Sequence, residues 1–173
     1  MENALIIVNE MLTQRGYTIQ DSTEEDRIIA LKPCGNKMIT FFTNTPKFNV
    51  KNIQVYIALM NEIEIYHAII VYKDGITAFT KKAIDQSTEL KFELFSQQDL
   101  QYNITKHYLQ PTFILMSREE IESFKANYGT KFPIMKKDDP IARFYDFQKG
   151  DIIRVIRSSI YGQGESINYR MIK

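Results

Sequence analysis

The stretch from Phe132 to Lys173, FPIMKKDDPIARFYDFQKGDIIRVIRSSIYGQGESINYRMIK, constrains this chain more tightly than any other. Asp139-Pro140 can open a short helix: Asp139 supplies a capping oxygen, and Pro140 occupies the first helical position, where no amide donor is missed. Ile141, Phe144 and Tyr145 then fall on one side of that helix. Lys149-Gly150 turns the chain into a β-branched run, Ile152, Ile153, Val155 and Ile156, with Arg154 and Arg157 interleaved. That run predicts a strand paired with Ser166 to Ile172 across a turn at Gly162-Gln163-Gly164.

Upstream, helical and β-rich segments alternate. Ala4, Leu5, Val8, Met11 and Leu12 recur at helical spacing, and Gly16 stands where a helix would end in the left-handed conformation. Two β-rich runs, residues 27–32 and 37–43, flank Pro33-Cys34-Gly35-Asn36 as a hairpin does. After a loop with Pro46, Ile53, Tyr56, Ile57 and Met60 mark a second helix. Ile65 to Tyr72 is a near-continuous apolar run closed by Asp74-Gly75, the pattern of a strand covered on both faces, and it is expected to be the central strand. A helix over 77–85 and a half-exposed strand over 90–95 complete a mixed sheet with helices packed on it. The pattern changes over 97–111, which places a boundary between residues 1–100 and 101–173. Beyond it, Ser117 with Glu120 forms a capping box for a helix that carries Ile121, Phe124 and Tyr128 inward and ends at Gly129. The expected class is α+β, a mixed sheet with flanking helices followed by a small α/β unit.

Composition narrows the function. The 173 residues are 44% hydrophobic with 12% aromatics, enough for a buried core. The net charge of +1 lacks the basic excess of an autonomous nucleic-acid binder, although residues 101–173 hold 12 Lys/Arg against 8 Asp/Glu and residues 1–100 hold 10 against 13. A single cysteine, Cys34, provides no disulfide framework and fits a reducing compartment. The opening MENALIIVNEMLTQRG matches neither a secretory leader nor a membrane span, so an intracellular, soluble chain without membrane partner is expected.

Catalytic constellations are scarce. His67 and His107 are isolated, and His67 falls inside an apolar run, where a satisfied core imidazole is the commoner state. No metal-ligand, phosphate-loop or nucleophile-elbow motif occurs, and no cofactor or small-molecule substrate is expected. Asp138-Asp139 could be imagined as an acid pair, but capping accounts for one of them. Asn103-Ile104-Thr105 spells a glycosylation acceptor that a chance occurrence explains. Arg143, Lys149, Arg154, Arg157 and Arg170 accumulate beside Phe144, Tyr145, Tyr161 and Tyr169, which reads either as a solvated face or as an interface whose guanidinium forks pair with a partner's carboxylates.

Residues 132–173 resemble the C-terminal signature of a known family, the fifth subunit shared by the eukaryotic nuclear RNA polymerases, which has an archaeal counterpart. The matching residues are Phe132-Pro133, then Asp139-Pro140-Ile141-Ala142-Arg143-Phe144-Tyr145. They continue through Lys149-Gly150-Asp151-Ile152-Ile153-Arg154-Val155-Ile156-Arg157, Ser159 and Tyr169-Arg170. Asn103-Ile104-Thr105-Lys106-His107 with Leu109 and Pro111, and Arg15-Gly16-Tyr17, extend the resemblance upstream. The chain departs from the family at Ile134, where an arginine is usual, at Asp146, where a glycine is usual, and at Ile160, where an acidic residue is usual.

The resemblance implies a non-catalytic subunit of a multisubunit DNA-directed RNA polymerase. Its N-terminal jaw domain would lie near downstream double-stranded DNA, and its C-terminal assembly domain would dock on the largest subunit. Asp139 and Pro140 would start the docking helix, and Arg143 and Tyr145 would present from it. Lys149 and Gly150 would form the turn, Arg157 and Arg170 would pair across the closing hairpin, and Tyr169 would belong to the partner-binding surface. Jaw lysines such as Lys47, Lys51, Lys81 and Lys82 are the candidates for phosphate contacts, although solvated surface is the commoner state of such residues. A first domain of this kind resembles the eukaryotic form or a polymerase encoded by a large DNA virus. The nucleus is the expected location for a cellular chain, and a virion or cytoplasmic viral factory for a viral one. A metal-dependent nuclease-like enzyme and a free-standing interaction adaptor are the alternatives.

Overall fold

The computed structural model describes residues 2–21, 26–45, 47–87, 89–158 and 164–173, with the side chains of Asp21 and Asp85 left aside. The chain divides into two compact units, Met1–Tyr102 and Asn103–Lys173. Each has its own sheet.

In the first unit, α1 (Glu2–Gln14) buries Ala4, Ile7, Val8, Met11 and Leu12. Ile7 takes the place expected for Leu5, which stays exposed. Gly16 follows with φ +79°, a conformation that costs glycine nothing. Strands β1 (Thr18–Asp21), β2 (Arg27–Leu31), β3 (Lys37–Thr43), β4 (His67–Tyr72) and β5 (Lys91–Ser96) form one sheet in that order. β1, β2 and β3 are antiparallel neighbours, whereas β3, β4 and β5 run parallel. Parallel neighbours need crossovers, which α2 (Val50–Glu62) and α3 (Ala78–Asp85) supply.

Ile39 and Phe41 of β3 and Ala68 and Ile70 of β4 share one core with Phe48, Ile53 and Met60 beside α2 and with Ile84 of α3. Arg15, at the end of α1, reaches Glu93 of β5, so α1 covers the other face. Interior strands covered on both faces carry apolar residues without alternation, and six of the seven residues of β3 are buried. The central position therefore belongs to β3, and the Ile65–Tyr72 run, as β4, lies one strand off centre. Its uninterrupted apolar stretch reports two covered faces, a property that it shares with β3 and that does not by itself mark the centre.

In the second unit, β6 (Thr112–Leu115), β8 (Ile152–Ser158), β9 (Glu165–Ile172) and β7 (Ile134–Met135) form a sheet in the order β6-β8-β9-β7. α5 (Pro140–Tyr145) packs on the face carrying Ile153, Val155 and Ile172. α4 (Arg118–Tyr128) lies on the opposite face, where Phe124 meets Tyr169 at 4.2 Å between ring centroids. Its capping box is present, with the Ser117 hydroxyl accepting from the Glu120 amide and the Glu120 carboxylate accepting from the Ser117 amide. Ile121 and Phe124 are half-buried, but Tyr128, expected inward, is 77% exposed. The helix borders the sheet for only part of its length. β8 and β9 pair as a hairpin, and Gly162, Gln163, Ser159, Ile160 and Tyr161 lie outside the described residues, as does Pro46. Among the described residues no helix is long and apolar enough to cross a membrane.

Candidate functional site

α5 begins as its residues dictate. Asp139 Oδ1 accepts from the Ile141 amide at 2.9 Å, and Pro140 stands at the start of the helix. The helix ends at Asp146, which adopts a left-handed conformation, φ 57° and ψ 40°. This is the position where glycine is usual in the resembling family, and aspartate is among the few other residues that tolerate such a backbone. Gln148 Nε2 donates to the Asp146 carbonyl at 2.6 Å and to its side chain at 2.7 Å, which reinforces the turn. Gly150, with φ +95°, donates its amide to the Ile172 carbonyl and closes the α5–β8 turn on β9.

The sheet then distributes the arginines and aromatics. Arg157 stands opposite Ser166, and Arg170 opposite Ile153. The two arginines are therefore not cross-strand partners, contrary to the expected pairing; the ladder offsets them by four residues. Both still belong to the α5 face, because positions two and four apart in a strand share a face. They line a depression of about 230 Å³ with Gln110, Phe113, Asp139 and Val155. A second depression, about 480 Å³, shares Gln110, Phe113 and Arg157 and extends past Tyr108, Leu109 and Ser158. Tyr108 is 85% and Leu109 52% exposed.

Other expected contact residues lie elsewhere. Tyr145 does not present outward: it stacks on Phe147, meets Phe144 edge to face and hydrogen-bonds Thr105. Burial pushes its phenol above the ordinary value, and the Thr105 bond opposes that. The Thr105 hydroxyl in turn donates to Asn103 Oδ1 at 2.6 Å, and the same oxygen accepts from the Thr105 amide. The buried Asn103 side chain thus caps a 3-10 turn over Ile104–Lys106, the structural use of what spelled a glycosylation acceptor. Tyr169 faces α4 on the other side of the sheet. Arg154, on that side as well, lies 3.7 Å from Glu120. Arg143 is half-buried on α5, whereas Lys149 is exposed in the turn before β8.

In the first unit, Lys47, Lys51, Lys81 and Lys82 are all exposed. A parallel bridge between Phe48 and Ile76 brings the start of α2 beside the start of α3, so the four lysines fall on neighbouring segments. The most organised charge cluster of this unit is one that sequence reasoning does not find. Arg15 grips Glu93 with two bonds, 2.8 and 2.7 Å, and His67 Nε2 donates to the same carboxylate at 2.7 Å. Burial alone would raise the Glu93 pKa, but the His67 bond and the Arg15 charge outweigh it and hold the carboxyl at about 2. Nothing local marks this cluster, since its members lie at the end of α1, on β4 and on β5. The alternation of β5, which puts Glu93 on an inward face, is the one available signal.

Residues 102–172 match the family model described as RNA polymerase Rpb5, C-terminal domain. Similar proteins include the DNA-directed RNA polymerases I, II, and III subunit rpabc1 of Dictyostelium discoideum, 33% identical over 142 residues, which covers 79% of this chain and 72% of that protein. The corresponding RPABC1 of Caenorhabditis elegans is 33% identical over 141 residues, covering 79% of this chain and 66% of its own length. A putative DNA-directed RNA polymerase subunit, 454R of Invertebrate iridescent virus 6, is 38% identical over 120 residues, covering 62% of each chain. Similarity that takes in most of the chain, together with the C-terminal match, decides the question: the chain belongs to the Rpb5 family of DNA-directed RNA polymerase subunits, which serve transcription as structural and not catalytic components.

Proposed function

We propose that this chain docks on the largest subunit of a DNA-directed RNA polymerase through its second unit and contributes its first unit to the lower jaw near downstream duplex DNA. The observation that carries this reading is the coincidence of the family match, residues 102–172, with a compact unit, Asn103–Lys173, that has its own sheet and core. A unit of this kind can present a preformed surface to a large partner without folding on contact. Asp139, Pro140, Lys149 and Gly150 shape that surface, Tyr145 and Tyr169 brace it from within, and Arg143, Arg157 and Arg170 supply its charge. Lys47, Lys51, Lys81 and Lys82 on the first unit would meet the DNA backbone, where exposed lysines give sequence-independent, salt-sensitive attraction. The relatives come from cellular eukaryotes and a virus, so the working location is the nucleus in the first case and a viral factory or virion in the second.

Affinity purification of the tagged full chain from its source cells, followed by mass spectrometry, tests the reading. The largest polymerase subunit should be recovered in amounts comparable to the bait. Recovery of unrelated partners without any polymerase subunit would refute it. For the jaw, replacing the four lysines by alanine in the assembled enzyme should reduce crosslinking to downstream DNA and weaken its salt dependence, with assembly unchanged.

A further inference from the structure

From the second unit we infer that two adjoining depressions, one on the α5 face and one at the end of β6 and β8, form a groove for an extended, acidic segment of a partner polypeptide, with its carboxylates held by Arg157 and Arg170. This deepens the docking reading above and rests on it. The two guanidinium groups stand on neighbouring strands at one depression. Among the described residues Arg157 has no carboxylate within salt-bridge distance, and Arg170 makes a single long contact, 3.5 Å, to the Ile134 carbonyl. Guanidinium forks match carboxylates in a planar, bidentate geometry, so two of them side by side select for acidic side chains.

The shape and the remaining walls narrow the occupant further. The depressions meet at Gln110, Phe113 and Arg157, so the cleft is elongated and suits an extended chain better than a single small ion. One end is charged, and the other is walled by Tyr108, Leu109 and Pro111. Tyrosine and arginine around a partly apolar cleft are the composition of a protein interface. The Asp139 carboxylate at the charged end disfavours a phosphate backbone, which would meet repulsion there. A backbone charged at every repeat cannot leave that point neutral, whereas a peptide can set an uncharged residue beside Asp139 and its carboxylates at the arginines. Two positive groups, one negative group and an apolar wall thus describe a peptide carrying two acidic residues and a neighbouring apolar one.

The test uses the full chain assembled with its polymerase. A photo-crosslinking amino acid placed at Ser158, at the exposed lip of the groove, should yield a crosslinked polymerase peptide with at least two Asp or Glu within a few residues of the link. Arg157→Glu with Arg170→Glu should lower that yield tenfold or more, and Arg157→Lys with Arg170→Lys should give an intermediate loss, because charge is kept and the fork is not. Circular dichroism of each variant separates lost docking from lost folding; Arg157 is exposed at a strand end, so wild-type spectra are expected. Crosslinks to DNA, crosslinks to a segment without carboxylates, or an undiminished yield from the double Glu variant would each overturn the inference while leaving the docking reading intact. Absence of the largest subunit from the complex would instead overturn the docking reading.

Discussion

At the scale of single residues, the Arg15–Glu93–His67 cluster has the largest predictable consequence. Glu93 ionises near 2 in the folded unit against an ordinary value of 4.5, so the unfolded chain takes up this proton first as pH falls. Its stabilising contribution is complete above about pH 4.5 and is lost progressively down to pH 2, a change on the order of 3 kcal/mol. Urea unfolding at pH 7 and pH 3 should show about 2 kcal/mol of this loss in wild type and little of it in Glu93→Gln, which is less stable at pH 7 already. Arg15→Ala should cost about 3–5 kcal/mol at pH 7, because it strands a buried carboxylate. Asp146 offers a milder test in the second unit. Asp146→Gly should lie within about 1 kcal/mol of wild type, since glycine accepts the left-handed backbone, whereas Asp146→Val should destabilise by about 1–2 kcal/mol. Equal melting temperatures for the two variants would show that the backbone at 146 relaxes.

Among the elements, helices α4 and α5 contrast. α5 is six residues long yet buries Ile141, Ala142 and Phe144, and its cap is the Asp139 carboxylate. Asp139→Ala should therefore cost about 1 kcal/mol of the unit's stability, read from the urea midpoint. α4 is longer and carries a complete capping box, but no residue of it is fully buried. Its backbone bonds should open by local fluctuation, so hydrogen exchange should be faster in residues 121–128 than in β8, where Ile152, Ile153 and Val155 are buried. Equal protection in the two would contradict that ordering. The legible elements are those with strong local signals: the periodic faces of α1 and α2, the Ser117 box, the Asp139-Pro140 start and the hairpin around Gly35. β1, β6 and β7 escape a reading of the sequence for a common reason. They have four, four and two residues, and β6 and β7 are held by strands well downstream, β6 by β8 and β7 by β9, so no short-range pattern announces them.

For the whole molecule, the two units differ in how much core each commands. Phe48, Met11, Leu12, Ile39, Ile69 and Ile70 are almost completely buried in the first unit. The second relies on a smaller set around Ile153, Val155 and Ile172. A unit of this size gains only about 3–5 kcal/mol from one core. Residues 103–173 expressed alone should melt cooperatively but at a lower temperature than residues 1–102. A broad, non-cooperative loss of its circular dichroism would show that the smaller core does not suffice without a partner.

What the sequence determined by itself is everything carried by neighbours along the chain. Caps, turn glycines, helical periodicity and the ordered signature over 132–173 are short-range chemistry, and they were enough to indicate fold class and family. Tertiary structure decided what depends on residues far apart in sequence: β3 at the sheet centre, Tyr145 turned inward, Arg157 and Arg170 on one face without opposing each other. It also decided the grip of Arg15 on Glu93, 78 residues away. The physical reason is that strand register and helix placement set which side chains meet, and both are fixed by burial over the whole sheet. In the stretch from Phe132 onward, local rules position the helix and the strands, and pairing across the sheet makes of them a face with a charged cleft.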